Sequence, residues 1–220
     1  MFVYKRMTKN PISVDKDVSI LDAMEVMKAS KVRRLPVVDK ENNLVGIVTD
    51  RDLHVASPSF ATTLSKFEAN YLLTKMRVSE IMTKNLFTIR EGATIEEVAL
   101  LMYKNKIGGI PVVSDADPKK LVGIITETDI FKILVDVMGL PTGKVRITAT
   151  FKDRMGMLAD IGSIFKGLNQ NITSFAIIDA SEEDDETREI VIRGDFENTD
   201  EITKKLEEIG FKVIDITKIA

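Results

Sequence analysis

The chain states one sequence twice. Met7-Thr8-Lys9-Asn10 returns as Met82-Thr83-Lys84-Asn85, and Leu44-Val45-Gly46-Ile47-Val48-Thr49 returns as Leu121-Val122-Gly123-Ile124-Ile125-Thr126. The first block is displaced by 75 residues and the second by 77, so the copies differ by a short insertion near residues 115–119, where turn formers gather. A repeat of this length is a complete supersecondary unit rather than one rung of a solenoid. Two copies imply an intramolecular pair about a pseudo-two-fold axis, and such an axis creates two related clefts in which function is expected to reside.

Each copy reads in the same order. An extended segment, Ile12-Ser13-Val14 or Phe87-Thr88-Ile89, precedes a capping-box spacing, Ser19 to Asp22 or Thr94 to Glu97. Behind the caps, Ile20, Met24 and Met27, and Ile95, Val98, Ala99 and Met102, recur at helical steps. Strands are predicted at 35–38 and 44–48, and at 110–113 and 121–125, with a closing helix from Thr49 and from Thr126. The unit is β-α-β-β-α. Between the copies, Leu64, Phe67, Tyr71, Leu72 and Met76 give a largely helical connection after Ser57-Pro58-Ser59.

After Met138 the punctuation changes to Gly139, Pro141 and Gly143, as expected of a linker. Alternating Val145, Ile147, Ala149 and Phe151 then read as a strand, and Met157, Leu158, Ile161, Ile164, Phe165 and Leu168 as a helix. Strands at 172–178 and 188–193, a helix at 200–209 and a strand at 211–216 complete a β-α-β-β-α-β order, the ferredoxin-like split unit. The expected division is a first repeat at 1–56, a connection at 57–77, a second repeat at 78–138, a linker at 139–143 and a final domain at 144–220. The fold class is α+β, with α/β content in the repeats.

Composition narrows the functions. Thirty-one Lys and Arg against 34 Asp and Glu leave a net charge of −3, with no basic field for nucleic acid and no attraction to anionic membranes. With no cysteine and one histidine, His54, neither a disulfide framework nor a multi-histidine metal site is available. His54 is read as a surface or packing residue, the run Glu182-Glu183-Asp184-Asp185-Glu186 as a solvated hairpin, and Met24, Met27 and Met102 as core. No apolar stretch approaches a spanning helix and no signal-peptide core opens the chain, so a cytoplasmic location is expected. No nucleophile–base pair or complete phosphate loop is visible, and an enzyme is not expected.

The segments Gly46-Ile47-Val48-Thr49-Asp50-Arg51-Asp52 and Gly123-Ile124-Ile125-Thr126-Glu127-Thr128-Asp129 share Gly, an apolar pair, Thr and a later Asp. A helix cap explains Thr and Asp. It does not explain the glycine, where a missing side chain lets a ligand or backbone come close. A strand-to-helix junction offers free N–H groups to phosphate, and a nearby carboxylate can accept ribose hydroxyls. The copies differ before the central strand, Arg33-Arg34 in one and Gly108-Gly109 in the other, so unequal sites are expected, with phosphorylated ligands favoured near the arginines; a solvated basic turn is the other reading.

These motifs, with the apolar-Pro-Val-Val strands at Leu35-Pro36-Val37-Val38 and Ile110-Pro111-Val112-Val113, resemble a tandem CBS-domain pair over roughly residues 1–138. The resemblance implies an adenosyl ligand (AMP, ADP, ATP or S-adenosylmethionine) as a regulatory ligand between the repeats, with no obligatory cofactor and no metal. It implies that Thr49 and Thr126 contact ribose or phosphate, that Asp52 and Asp129 take the ribose hydroxyls, and that residues 12–14 and 87–89 flank the adenine. Asp50 and Arg51, inside the first motif, join that site. Asp153-Arg154-Met155-Gly156-Met157-Leu158 is similar to the strand-to-helix turn of ACT domains, which implies an amino-acid ligand near Asp153, Arg154, Gly156, Met157 and Leu158. A structural turn, with Gly156 serving only a tight helix entry, is the other reading. The combination resembles AcuB-type CBS/ACT proteins, named for acetoin utilisation. It implies a homodimer that relays ligand binding to a regulated protein; a dimeric scaffold that binds no nucleotide is the alternative.

Overall fold

The computed structural model describes residues 1–57, 65–179 and 187–218. They divide into two compact units, Met1–Ile130 and Phe131–Ala220. Pro58, Ser59, Leu64 and the acidic run at 182–186 lie outside the described residues.

The first unit opens with a 3-10 turn, Val3–Lys5, and β1, Thr8–Lys9. The first copy follows as β2 (Val14–Asp15), α1 (Ile20–Ser30), β3 (Arg34–Val38), β4 (Leu44–Thr49) and α2 (Asp50–Ala56). Helices α3 (Lys66–Lys75) and α4 (Val78–Ile81) lead to the second copy: β5 (Ile89–Arg90), α5 (Ile95–Asn105), β6 (Gly109–Val113), β7 (Leu121–Thr126) and α6 (Glu127–Val137), the last of which carries the division between the units. The duplication extends to detail. In both copies the first strand pairs parallel with the second, the second pairs antiparallel with the third, and a bulge falls between the two valines of the Pro-Val-Val strand.

The predicted caps form. Ser19 Oγ accepts from the Asp22 N–H at 3.1 Å, and Thr94 and Glu97 make a reciprocal capping box. The helices bury Ile20, Ala23 and Met27, and Ile95, Val98 and Met102, against the strands. The extended segments at 12–14 and 87–89 pair only from Val14 and Ile89 onward, opposite Val37 and Val112. Val14 is therefore a core residue, 6% exposed, whereas Ile12 and Phe87 precede the ladder and are each 46% exposed. In the connection, Phe67 and Tyr71 face outward, while Leu73 enters the core and Met76 packs against it.

A departure from simple tandem packing governs this unit: each copy's entry segment crosses to the other copy. Thr8 and Lys9 pair with Ile124 and Gly123 at the edge of the second copy's sheet, and Thr83 exchanges both backbone hydrogen bonds with Ile47 of the first. The repeated glycines make room for this exchange. A Cβ on Gly46 would overlap the Met82 thioether and lie 2.9 Å from its Cγ; one on Gly123 would overlap the Met7 thioether and lie 3.1 Å from the Thr8 carbonyl oxygen. The close approach expected at these glycines is made by methionine from the opposite copy.

The second unit contains β8 (Val145–Lys152), α7 (Met157–Gly167), β9 (Ser174–Asp179), β10 (Thr187–Gly194), α8 (Thr199–Glu208) and β11 (Lys212–Lys218). The sheet order β11-β8-β10-β9 is antiparallel throughout, as the split β-α-β-β-α-β reading expects. Ile147, Ala149, Ile190 and Ile192 meet Met157, Ile161, Phe165, Ile202 and Leu206 in one core, so α7 and α8 cover one face of the sheet.

Gly46→Ala tests the crossed packing. Ala is normally the better strand residue, yet here it should lower stability by about 1–3 kcal/mol through overpacking. Adding Met82→Ala should recover part of that loss in a double-mutant cycle followed by denaturant unfolding.

Candidate functional site

Because the entry segments cross, each cleft takes its walls from both copies. The first cleft, of about 490 Å³, is lined by Thr49, Asp50 and Arg51 from the end of β4 and start of α2, and by Thr83, Asn85, Leu86 and Phe87 from the other copy's entry; Arg33, Arg34, Ile47, Lys106, Ile107, Gly108, Gly109 and Pro111 complete it. The second, of about 460 Å³, pairs Thr126, Glu127 and Thr128 with Thr8, Asn10, Pro11 and Ile12, beside Lys31, Val32, Arg33, Arg34, Pro36 and Ile124. The two linings correspond across the repeat, and both volumes suit a small-molecule ligand.

The strand-to-helix junctions are built by local hydrogen bonds. The Thr49 N–H and Oγ1 both donate to Asp52 Oδ2, at 2.8 and 2.7 Å, and Thr49 Oγ1 accepts from the Asp52 N–H at 3.3 Å. In the second copy, the Thr126 N–H and Oγ1 both donate to Asp129 Oδ2 at 2.8 Å. The carboxylates are thus spent on capping through one oxygen each, and Asp52 and Asp129 line neither cavity. Of the residues expected to bind nucleotide, Ile12, Arg33, Arg34, Thr49, Asp50, Arg51, Phe87 and Thr126 line the clefts, while Ser13, Val14, Thr88 and Ile89 do not.

Several lining residues are not identified by the sequence motifs. Thr8, Asn10, Thr83 and Asn85 stand out as a repeated Met-Thr-Lys-Asn, but nothing in that repeat signals their transfer to the opposite copy. Lys31 and Lys106 end α1 and α5 in the left-handed conformation, at φ 55° and 54°. Glycine usually takes that position because a side chain there costs about 1–2 kcal/mol. Both copies place lysine, and each lysine lines one cleft. His54 is exposed, with Nε2 3.3 Å from Asp50 Oδ1 at the rim of the first cleft.

A CBS-domain family model matches residues 3–58 and 78–136, which is more than half of the chain. The chain belongs to the CBS-domain family. An ACT-domain model matches residues 145–211, so tandem CBS domains are followed by a C-terminal ACT domain. A CBS domain-containing protein of Dictyostelium discoideum is 33% identical over 138 residues, covering 63% of this chain and 94% of that protein. AcuB of Vibrio cholerae is a structural neighbour at TM-score 0.52 and 31% identity, over 64% of this chain and 95% of that one. The CBS pair of protein MJ0100, solved with 5′-methylthioadenosine and S-adenosyl-L-methionine, aligns at TM-score 0.50 and 31% identity, over 61% and 95%. The chain spans only 22% of L-aspartate semialdehyde sulfurtransferase of Methanocaldococcus jannaschii and of inosine-5′-monophosphate dehydrogenase of Aquifex aeolicus, at 33% and 38% identity.

In the ACT domain, Asp153, Arg154 and Leu158 are exposed around the β8-to-α7 turn, whereas Met157 is in the core. Gly156 has φ +84°, and a Cβ built there would meet nothing within 4 Å, so the backbone, and not a shortage of space, requires glycine here. Arg154 pairs with Asp160 at 2.6 Å. On the sheet face away from the core, Arg193 of β10 stands directly opposite Arg146 of β8. Arg193 is 7% exposed, and its Nε and Nη1, like Thr148 Oγ1, are buried without a hydrogen-bond partner. Burial and then the Arg146 charge hold the Arg193 guanidinium below its ordinary pKa. Among the described residues no group of three or more His, Cys, Asp or Glu could hold a metal, and no helix is long and apolar enough to cross a membrane.

Two substitutions check these assignments. Lys106→Gly should leave the fold as stable or up to about 1 kcal/mol more stable, by relieving the left-handed side chain, while weakening any anionic ligand of the first cleft. Arg193→Met should raise the melting temperature in calorimetry, since a guanidinium with two buried, unpartnered nitrogens opposite Arg146 is replaced by an apolar chain of similar length.

Proposed function

We propose that this chain is a non-enzymatic regulatory sensor that binds an adenine nucleotide or S-adenosylmethionine in the clefts between its CBS repeats. CBS and ACT domains are regulatory modules, and a neighbour of known structure carries adenosyl ligands. The observation that carries the reading is the chemistry gathered in each cavity. Cations and threonine hydroxyls (Arg33, Arg34, Lys106, Thr49 and Thr83 in the first) suit phosphate and ribose, and apolar surfaces (Ile47, Phe87 and Pro111) suit the adenine ring. Ile12, Pro36 and Ile124 are their counterparts in the second cleft. In this reading Asp52 and Asp129 act through the caps, holding Thr49 and Thr126 at the cleft walls.

The signal passes to a regulated protein as a rearrangement of a homodimer, driven by unequal ligand affinity for two arrangements. Exposed Leu100 and Tyr103 on α5, and Leu134 and Val135 on α6, are the apolar surfaces a second copy would cover. An amino acid binds the ACT turn through Asp153, Arg154 and the backbone at Gly156 and Met157, beside Leu158.

Thermal unfolding tests the central point. An adenosyl ligand at about 100 times its Kd should stabilise the protein by roughly 2.7 kcal/mol. Indifference to AMP, ADP, ATP and S-adenosylmethionine alike would favour a scaffold with vestigial clefts.

A further inference from the structure

The two clefts do not own separate arginines. Arg33 and Arg34 line both cavities, and their counterparts in the second copy are Gly108 and Gly109. The glycines create the space that Arg34 fills: a Cβ on Gly108 would overlap Arg34 Nη2, and one on Gly109 would lie 2.9 Å from Arg34 Cδ. Arg34 therefore lies across the pseudo-two-fold axis, with Nη2 3.9 Å from Glu127 Oε1 at the edge of the second cleft. The side chains that belong to one cleft alone differ in charge. The first has Arg51 and Lys106 against Asp50; the second has Lys31 against Glu127, with Thr128 in place of Arg51.

We propose that the clefts share a single phosphate-binding arginine pair, so that each chain takes up one phosphorylated adenine nucleotide, in the first cleft, whereas an adenosyl ligand with an uncharged tail fills both. This rests on the nucleotide reading above and deepens it. A guanidinium forked onto a phosphate in the first cleft is withdrawn from the second. What then remains in the second cleft is Lys31 beside a Glu127 carboxylate that has lost its guanidinium partner and repels a second phosphate. An uncharged thioether tail makes no demand on Arg34, so the same competition does not arise. Ligand charge thus sets stoichiometry, and the occupancy of one cleft reports on the other.

Calorimetric titration of the full chain with ADP and, separately, with 5′-methylthioadenosine tests this. One ADP and two 5′-methylthioadenosine molecules per chain are expected. Arg34→Met, which keeps the stem packed at Gly109, should weaken ADP about tenfold or more, the scale of a lost charge-assisted bond, and leave 5′-methylthioadenosine within about twofold. Glu127→Lys should replace the repelling carboxylate with a second cation beside Lys31 and raise ADP to two per chain. Equal stoichiometry for the two ligands in the unsubstituted protein, whether one or two, would overturn the sharing, as would equal losses of both ligands in Arg34→Met or a Glu127→Lys protein still limited to one ADP. Two 5′-methylthioadenosine molecules with no ADP would overturn it while preserving the adenosyl reading; binding of neither would remove both.

Discussion

The structure of the first unit depends on an exchange: each copy lends its first few residues to the other. Thr8 and Lys9 pair with Ile124 and Gly123, while Thr83 bonds to Ile47, and the thioethers of Met7 and Met82 lie where Gly123 and Gly46 lack side chains. Neither copy can complete its sheet edge alone. Leaving an edge strand unpaired exposes backbone groups to unwanted pairing, and here the second copy satisfies them. The clefts follow from this arrangement, because a segment that crosses between copies brings its Thr and Asn to the opposite copy's strand-to-helix turn.

Most elements are legible in the residues because local rules and tertiary packing agree. Ser19 with Asp22, Thr94 with Glu97, and the alternation at Val145 to Phe151 specify caps and a strand without reference to the rest of the chain. The crossed entries are not legible, since Thr8–Lys9 is two residues long and too short to carry a period. The glycines signal close approach but not which group approaches. Lys31 and Lys106 give no warning because lysine is an ordinary helix residue, and only the backbone reveals its left-handed setting. For the same reason Val14, placed beside the ligand by motif alone, proves to be core: a parallel strand must set a side chain against Val37, and one that does so is withdrawn from the cavity.

Departures from symmetry make the two clefts chemically unequal. A duplicated unit with identical residues would offer two equivalent clefts, but here Arg33, Arg34 and Arg51 stand opposite Gly108, Gly109 and Thr128. The whole chain is slightly acidic, at −3, while the first cleft gathers Arg33, Arg34, Arg51 and Lys106 around a single Asp50. A local cationic field of this kind attracts a small anion without making the protein a binder of polyanions.

The Arg34–Glu127 contact shows why such a site can respond to a ligand. At 3.9 Å, with Glu127 more than half exposed, it is a loose surface pair, worth about 0–1 kcal/mol. A phosphate presents oxygens in the geometry that a guanidinium pairs with bidentately, an interaction roughly twice as strong as a neutral hydrogen bond. In the proposed exchange Arg34 turns from the carboxylate to the phosphate, and Glu127, at the first turn of α6, is left facing the second cleft beside Lys31. The carboxylate does not lose all compensation, since the helix N-terminus favours a negative charge there. In the proposed sharing, the Glu127 carboxylate, left beside Lys31, is the element that turns occupancy of one cleft into discrimination at the other.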